Sequence, residues 1–308
     1  MVLKNLNLYK LPIFALLFFS ILLCSPVAMP AMESEQNFPH QVNSQLQREL
    51  VGHLDKIGLS KAVKQGRLAV ALVDITDLAH PKLAHVNGNE MVYAASLPKI
   101  AILFGAFNEM AAGTLKRTDS LIQDITDMIR VSSNKAATRV LNQVGPFKLA
   151  KLLQSSPYRF YDINNNGGLW VGKAYGKSPA FKRDPLHAIS HGATAWQVAR
   201  FFYLIENESL ISPEASREMK SMLGNPRIHH KFVAGLQAVH PDSAIFRKSG
   251  TWQTYHCDSA IVERDGRRYI AVALANDNNG GEWLKKIIVA MDDIIFTDNA
   301  PIQISLAN

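Results

Sequence analysis

The chain predicts an α/β fold: an antiparallel sheet flanked by N- and C-terminal helices, with an all-helical lobe inserted between two sets of strands. Three observations lead there. Helix-spaced apolar residues precede two short strand patterns in the first hundred residues. Helical spacing then dominates from Pro98 to about Leu223. Three consecutive strand patterns follow, ahead of a final amphipathic helix. The resulting division is one domain over 32–308, with an α/β lobe of about 40–96 and 226–308 and a helical lobe of about 97–225.

Each element has its own signal. Val42, Leu46, Leu50, Leu54 and Ile57 fall on one helical face of Gln41–Leu59, the periodicity of an amphipathic helix. Leu68–Ile75, apolar but for Asp74, reads as the first strand. A second strand, Lys82–Val86, ends at Asn87-Gly88, a turn signal. Helical patterns then recur at Thr118–Ile129, Lys135–Val144, Pro146–Leu153 and Thr194–Ile205. Ala244–Lys248, His256–Glu263 and Arg268–Ala275 read as strands, the last two joined through the hairpin dipeptide Asp265-Gly266. Trp283, Ile287, Ile288, Met291 and Ile295 give the last helix, Glu282–Ile295, its apolar face.

The first 31 residues have the layout of a secretory signal peptide: Lys4 and Lys10, an apolar run from Leu11 to Leu23, then small residues around Ala28 and Ala31. The run is short for a membrane span. A secreted or periplasmic location is therefore expected. Acylation of Cys24 as a lipoprotein is the alternative, disfavoured by the bulk of Leu23 beside it. Cleavage removes two positive charges and no acid from the formal +7, leaving a mild basic excess. The basic residues are scattered, without the basic runs or arginine–aromatic interleaving of a nucleic-acid surface. Cys257 would be the only cysteine of the mature chain, so no intramolecular disulfide is expected, and it is placed in a buried strand.

The chemistry concentrates in three short stretches. Ser96-Leu97-Pro98-Lys99 sets a hydroxyl and an amine one helical turn apart, ahead of the almost wholly apolar Ile100–Phe107. A serine becomes a nucleophile when a neighbouring base takes its proton, and an apolar setting lowers an amine pKa so that it can act as that base. Alone the tetrapeptide is a short motif of the kind that occurs by chance. Downstream, however, stand Ser132-Ser133-Asn134 and Lys248-Ser249-Gly250-Thr251, in that order. For each residue taken singly, a surface lysine, a helix N-cap or a turn glycine is an adequate account; the combination points to a site.

With these three motifs the chain resembles the penicillin-recognising serine enzymes, the group of class A β-lactamases and DD-peptidases. Ser133 stands where the family usually has a mainly structural aspartate, and Ser249 where threonine is common. The resemblance implies a β-lactamase/transpeptidase-like fold with the catalytic groups in the cleft between the lobes. It implies Ser96 as nucleophile, Lys99 as base or proton shuttle, and the backbone N–H groups of Ser96 and Thr251 as the oxyanion hole. Ser132 would relay a proton to the leaving nitrogen, with Lys248 holding its hydroxyl and drawing a substrate carboxylate. Asn134, Ser249, Gly250 and Thr251 would complete substrate binding, Gly250 by letting the strand edge come close. Trp170, Tyr175, Trp252 and Tyr255 are placed either in the cleft or in the core.

One part of the class A pattern is missing. Those enzymes use a glutamate in a loop after the middle motif to activate the deacylating water, yet between Val144 and Leu204 the only acids are Asp162 and Asp184. Both are weak candidates, since neither lies in the family's loop pattern. Asp162–Gly167 also resembles the start of a calcium loop, but Lys173 occupies the position that needs a bidentate carboxylate, so a plain turn is expected. His187/His191 and His229/His230 lack a third ligand in register, so no metal and no cofactor are expected. The expectation is an exported monomeric serine hydrolase acting on β-lactams or related amides. The alternative is a DD-peptidase-like or slowly turning over penicillin-binding or sensor protein that meets peptidoglycan-derived stem peptides.

Overall fold

The computed structural model describes residues 38–155 and 157–297. The expected leader over 1–31, with Cys24, lies outside the described residues. Chain order runs through helices α1 (Ser44–Lys56) and α2 (Ser60–Lys64), strands β1 (Leu68–Asp74), β2 (Lys82–Val86) and β3 (Val92–Tyr93), then helices α3 (Lys99–Ala111), α4 (Asp119–Arg130), α5 (Asn134–Val144) and α6 (Pro146–Gln154). Short strands follow: β4 (Tyr161–Asp162), β5 (Gly167–Gly168), β6 (Trp170–Val171) and β7 (His191–Ala193). Helices α7 (Ala195–Glu206), α8 (Pro213–Leu223) and α9 (Phe232–Val239) lead to the long strands β8 (Ala244–Trp252), β9 (Tyr255–Arg264) and β10 (Arg267–Asn276), and α10 (Gly280–Thr297) closes the described chain.

The sheet is antiparallel in the order β2-β1-β10-β9-β8. Strand β1 shows why its sequence is apolar from Leu68 to Val73. Ala69, Ala71 and Val73 enter the core shared with α3 and α7, while Leu68, Val70 and Leu72 enter the core shared with α1, α9 and α10. Successive strand residues face opposite sides, so a sheet covered on both faces needs both sets apolar. The β9–β10 hairpin turns at Asp265-Gly266, with φ of 48° and 74°; positive φ at both positions is what the expected two-residue turn requires.

Helix starts follow the capping rules. Thr118 Oγ1 accepts from Leu121 N, Ser133 Oγ from Ala136 N, Thr194 Oγ1 from Gln197 N and Ser212 Oγ from Ala215 N, each satisfying an amide the helix leaves orphaned. The inserted lobe adds short strand pairs to its helices between Tyr161 and Ala193. Asn87 takes a positive φ of 51° as a turn residue, but the chain beyond it does not fold back on β2: β3 pairs instead with β7. Two pairs of residues are too few to leave a periodic trace.

Candidate active site

The chain reaches Ser96 through a turn in which Ala95 holds a φ of 51°, a left-handed conformation for an alanine. Helix α3 begins at Lys99, with Lys99 N donating to Ser96 O at 3.3 Å. Ser96 therefore precedes the helix rather than sharing its first turn with Lys99. The lysine side chain is fully buried and donates to Ser132 O at 2.6 Å, Asn134 Oδ1 at 2.8 Å and Ser132 Oγ at 3.3 Å. Ser96 Oγ is not among these partners, so the expected direct serine–lysine contact is replaced by one between Lys99 and the middle motif.

Ser132 offers both oxygens to Lys99 because its φ is 56°. Such a backbone costs about 1–3 kcal/mol in a residue with a Cβ and persists where the surroundings over-determine it. Ser133 next to it caps α5, the helix that presents Asn134. Lys248 Nζ donates to Ser132 Oγ at 2.9 Å and to Ser249 O at 2.7 Å. The hydroxyl of Ser132 thus lies between Lys99 and Lys248, 149 residues apart in the chain and brought together by folding. Burial lowers the Lys99 amine to about 7. Burial, with Lys99 and Arg247 nearby, pushes Lys248 well below its ordinary value.

A neutral Lys99 fits this geometry. Its two N–H bonds are matched by the carbonyls of Ser132 and Asn134, and the remaining lone pair is free to accept a hydroxyl proton. Protonated, the same amine gives its third N–H to Ser132 Oγ. The group can change charge state without losing a partner, which suits a proton carrier working near neutral pH.

Strand β8 is the free edge of the large sheet, and Gly250 brings it against the serine turn. A methyl on Gly250 would lie 2.8 Å from both Ser96 N and Leu97 N and closer still to Ala94 O. Ser249 is buried and Thr251 exposed, and as alternate residues of one strand they share the same face. Two interactions brace the strand from behind. Arg247 pairs with fully buried Asp258 on β9, Nε and Nη2 each at 2.7 Å, and also donates to Ile228 O at 2.6 Å. Lys231 Nζ donates to Gly250 O at 2.6 Å, Thr251 Oγ1 at 2.7 Å and Cys257 O at 3.2 Å. Because Thr251 Oγ1 accepts from that amine, its own O–H is turned elsewhere as a donor.

Lys231 is a site residue that the sequence did not disclose. It is buried, has a φ of 53° at the start of α9, and has its amine lowered to about 8 by burial. The only signal for it was a charged residue directly before an apolar helix, beside His229 and His230. Burial together with Arg247 and Lys231 lowers His230 to about 4, and its Nδ1 faces Arg247 Nη2 at 3.0 Å.

The opposite wall is aromatic. Lys99 Nζ sits 4.5 Å from the centroid of the Tyr175 ring, and that ring stacks on His191 at 4.3 Å with the planes 3° apart. Tyr175, Trp252 and Tyr255 line a cleft of about 720 Å³ with Ser96, Asn134 and Thr251. Trp170 belongs instead to the core, its Nε1 donating to Lys182 O at 2.9 Å. A larger polar hollow beside Glu206 and Lys220 lies elsewhere and contains none of the motif residues.

Asp162 and Asp184 do not line the cleft. Asp162 caps the 3₁₀ turn Ile163–Asn165, accepting from Asn164 N and Asn165 Nδ2, the plain turn expected of that stretch. Asp184 accepts from Tyr161 Oη and from the amides of Leu186, His187 and Ile189, so its carboxylate is occupied in holding a loop. Cys257 is buried on β9, and burial pushes its thiol up to about 12. Among the described residues no group of three or more metal-ligating side chains converges, and no helix is long and apolar enough to cross a membrane.

The family model described as the beta-lactamase enzyme family matches residues 116–296, a span that holds the second and third motifs and begins after Ser96. No curated protein matches the chain in sequence. Several solved structures share the fold at low identity. PBP-A is 17% identical over 85% of this chain and 99% of its own, with a TM-score of 0.61. A PBP-A variant solved as an acyl-enzyme complex with penicillin G gives the same identity, coverage and TM-score. A β-lactamase from Sphaerobacter thermophilus is 15% identical over 78% of this chain and 98% of its own, with a TM-score of 0.61.

Proposed function

We propose that this chain, which belongs to the beta-lactamase enzyme family, is an exported serine hydrolase that opens β-lactams or related amides through an acyl-serine intermediate. The observation that carries this reading is the hydrogen-bonded group of Lys99, Ser132, Lys248 and Asn134, the last of which lines one cleft with Ser96. In it, neutral Lys99 takes the Ser96 proton as Ser96 Oγ bonds to the substrate carbonyl carbon. The proton then passes through Ser132 to the nitrogen whose bond to that carbon breaks. The backbone N–H groups of Ser96 and Thr251 stabilise the oxyanion, an arrangement supported by the close approach that Gly250 permits. Donors of this kind contribute about 10²–10³ in rate each. Lys248, Ser249 and Thr251 hold the substrate carboxylate, and Asn134 its amide. The N-terminal segment, with its basic start and apolar run, supports export.

A second reading concerns release of the acyl group. Among the described residues no carboxylate lines the cleft, and the face of Lys99 carries the Tyr175 ring. That supports slow hydrolysis and a penicillin-binding or DD-peptidase-like role, in which a β-lactam remains attached to Ser96.

Purified protein mixed with a chromogenic cephalosporin, followed both by absorbance and by intact mass, tests both readings. Sustained hydrolysis supports a β-lactamase, and a persistent adduct that disappears in Ser96→Ala supports the slow enzyme. Neither hydrolysis nor adduct, with stem peptides also unreactive, would refute the acyl-serine mechanism.

A further inference from the structure

The wall of the cleft contributed by residues 173–191 is cationic without compensation. Lys173, Lys177 and Arg183 line it, and no Asp or Glu lines the cleft at all. None of the three forms an ion pair among the described residues; Arg183 has only a hydrogen bond to Ala188 O at 3.0 Å. The nearest acid in sequence, Asp184, is buried and taken up by one hydroxyl and three amides. His191 lines the same cleft and stacks on Tyr175; it is 4% exposed, with its Nδ1 buried and without a hydrogen-bond partner.

Unpaired like charges cost a folded protein self-repulsion, and a cleft lined by one sign concentrates ligands of the other. The β8 side already offers Lys248, Ser249 and Thr251 for one carboxylate, whereas the Lys231 amine is occupied by Gly250 O, Thr251 Oγ1 and Cys257 O. On the acyl-serine reading a substrate at Ser96 occupies this cleft, which Lys173, Lys177 and Arg183 also line.

We propose that this wall is a subsite for a second anionic group, carried on the acyl side of the scissile amide, so that the preferred substrates are dianions. The proposal rests on the acyl-serine reading. Its chemistry is that of a carboxylate-bearing acyl group, held by Coulomb attraction from Lys173, Lys177 and Arg183 and by a hydrogen bond to His191.

The two penicillins that differ by one side-chain carboxylate, benzylpenicillin and carbenicillin, make the probe. Second-order rates of Ser96 acylation are measured by intact mass for the wild type, Lys173→Gln, and the exposed double variant Lys177→Gln/Arg183→Gln. The carbenicillin-to-benzylpenicillin ratio is expected to fall about tenfold in the variants, and in the wild type to fall similarly when the salt is raised from about 0.02 M to 0.5 M, where screening is strong. A ratio that stays the same in every variant overturns the subsite. Wild-type protein that is acylated by neither penicillin overturns the acyl-serine reading and the subsite with it, whereas acylation by both with an unmoved ratio overturns the subsite alone.

Discussion

The amine of Lys99 stands 4.5 Å above the ring of Tyr175, which is itself stacked on His191. This one contact does two things. The ring removes the amine from water, contributing to the burial that lowers it to about 7, and on the acyl-serine reading it would shield an ester on Ser96 from water, its hydroxyl lying 3.4 Å from Ala95 O. The first effect favours acylation and the second opposes release.

Removing that shield should accelerate release. In Tyr175→Ala the adduct formed with benzylpenicillin is expected to decay about tenfold faster, because water gains access to the ester beside an amine able to take its proton. Tyr175→Phe keeps the ring and should behave as the wild type, since the hydroxyl makes only a 3.4 Å contact with Ala95 O. Decay is read from intact mass after removal of free antibiotic. An equal or slower decay in the alanine variant places the block to hydrolysis elsewhere.

Acylation should depend on pH through Lys99. The amine must be neutral to accept the Ser96 proton, and with its value at about 7 the neutral fraction grows as pH rises. The acylation rate is expected to rise about tenfold per unit below pH 7 and to level off above pH 8. Lys99→Arg, whose side chain stays charged, should lose at least about 10³ in rate. A flat profile between pH 5.5 and 8.5, measured with benzylpenicillin, would remove Lys99 from the role of base.

The buried amines also give the fold an unusual pH dependence. Lys99 falls from 10.5 to about 7 on folding, Lys231 to about 8, and Lys248 moves in the same direction. Between the folded and unfolded values the unfolded chain binds protons that the folded chain has released, so stability rises with pH. Below pH 7 both states are protonated at Lys99 and the full cost of burying its charge remains. Melting temperature should therefore be higher at pH 9 than at pH 7. Lys99→Met should melt above the wild type at pH 7 and show a shallower rise, at the expense of acylation, the trade between stability and activity expected where a site is built against its own solvation. A melting temperature that falls between pH 7 and pH 9 contradicts this account.

Much of this architecture was legible in the chain for local reasons. The strand runs of β1, β8, β9 and β10 and the apolar faces of α1 and α10 are periodic over many residues, and Asp265-Gly266 declares its own turn. Ser96, Lys99, Ser132, Asn134 and Lys248 were legible because three motifs stood in order, and the fold brings Lys99, Ser132, Asn134 and Lys248 into one hydrogen-bonded group. Lys231 and His191 were not. Each acts through partners distant in sequence, Gly250 and Thr251 for one, Tyr175 for the other, and neither a lone lysine before an apolar helix nor a lone histidine announces such a partner. The short strands β3 and β7, of two and three residues, escaped for a related reason, since pairing across about 100 residues leaves no local periodicity.

Gly250 links strand and turn so directly that its substitution separates folding from catalysis. The methyl of Gly250→Ala would meet Ser96 N and Leu97 N at 2.8 Å and Ala94 O more closely. These are backbone atoms, and the turn that carries them is held by Leu97 N to Ala94 O at 3.0 Å and by Ala94 N to His191 O at 2.8 Å. Neither can rotate away as a side chain would, so β8 must shift outward. The strand itself remains anchored by its ladder to β9, by Arg247 on Asp258 and by Lys231 on Gly250 O. The variant is therefore expected to fold, with a loss of about 1–3 kcal/mol typical of overpacking. The backbone amides of Ser96 and Thr251, however, would no longer share one oxygen, and loss of such a donor costs about 10²–10³ in rate. Acylation by benzylpenicillin should fall by that factor while circular dichroism stays native and the melting temperature drops by a few degrees. Wild-type acylation by a folded Gly250→Ala protein would show that the approach of β8 to Ser96 does not set the oxyanion site.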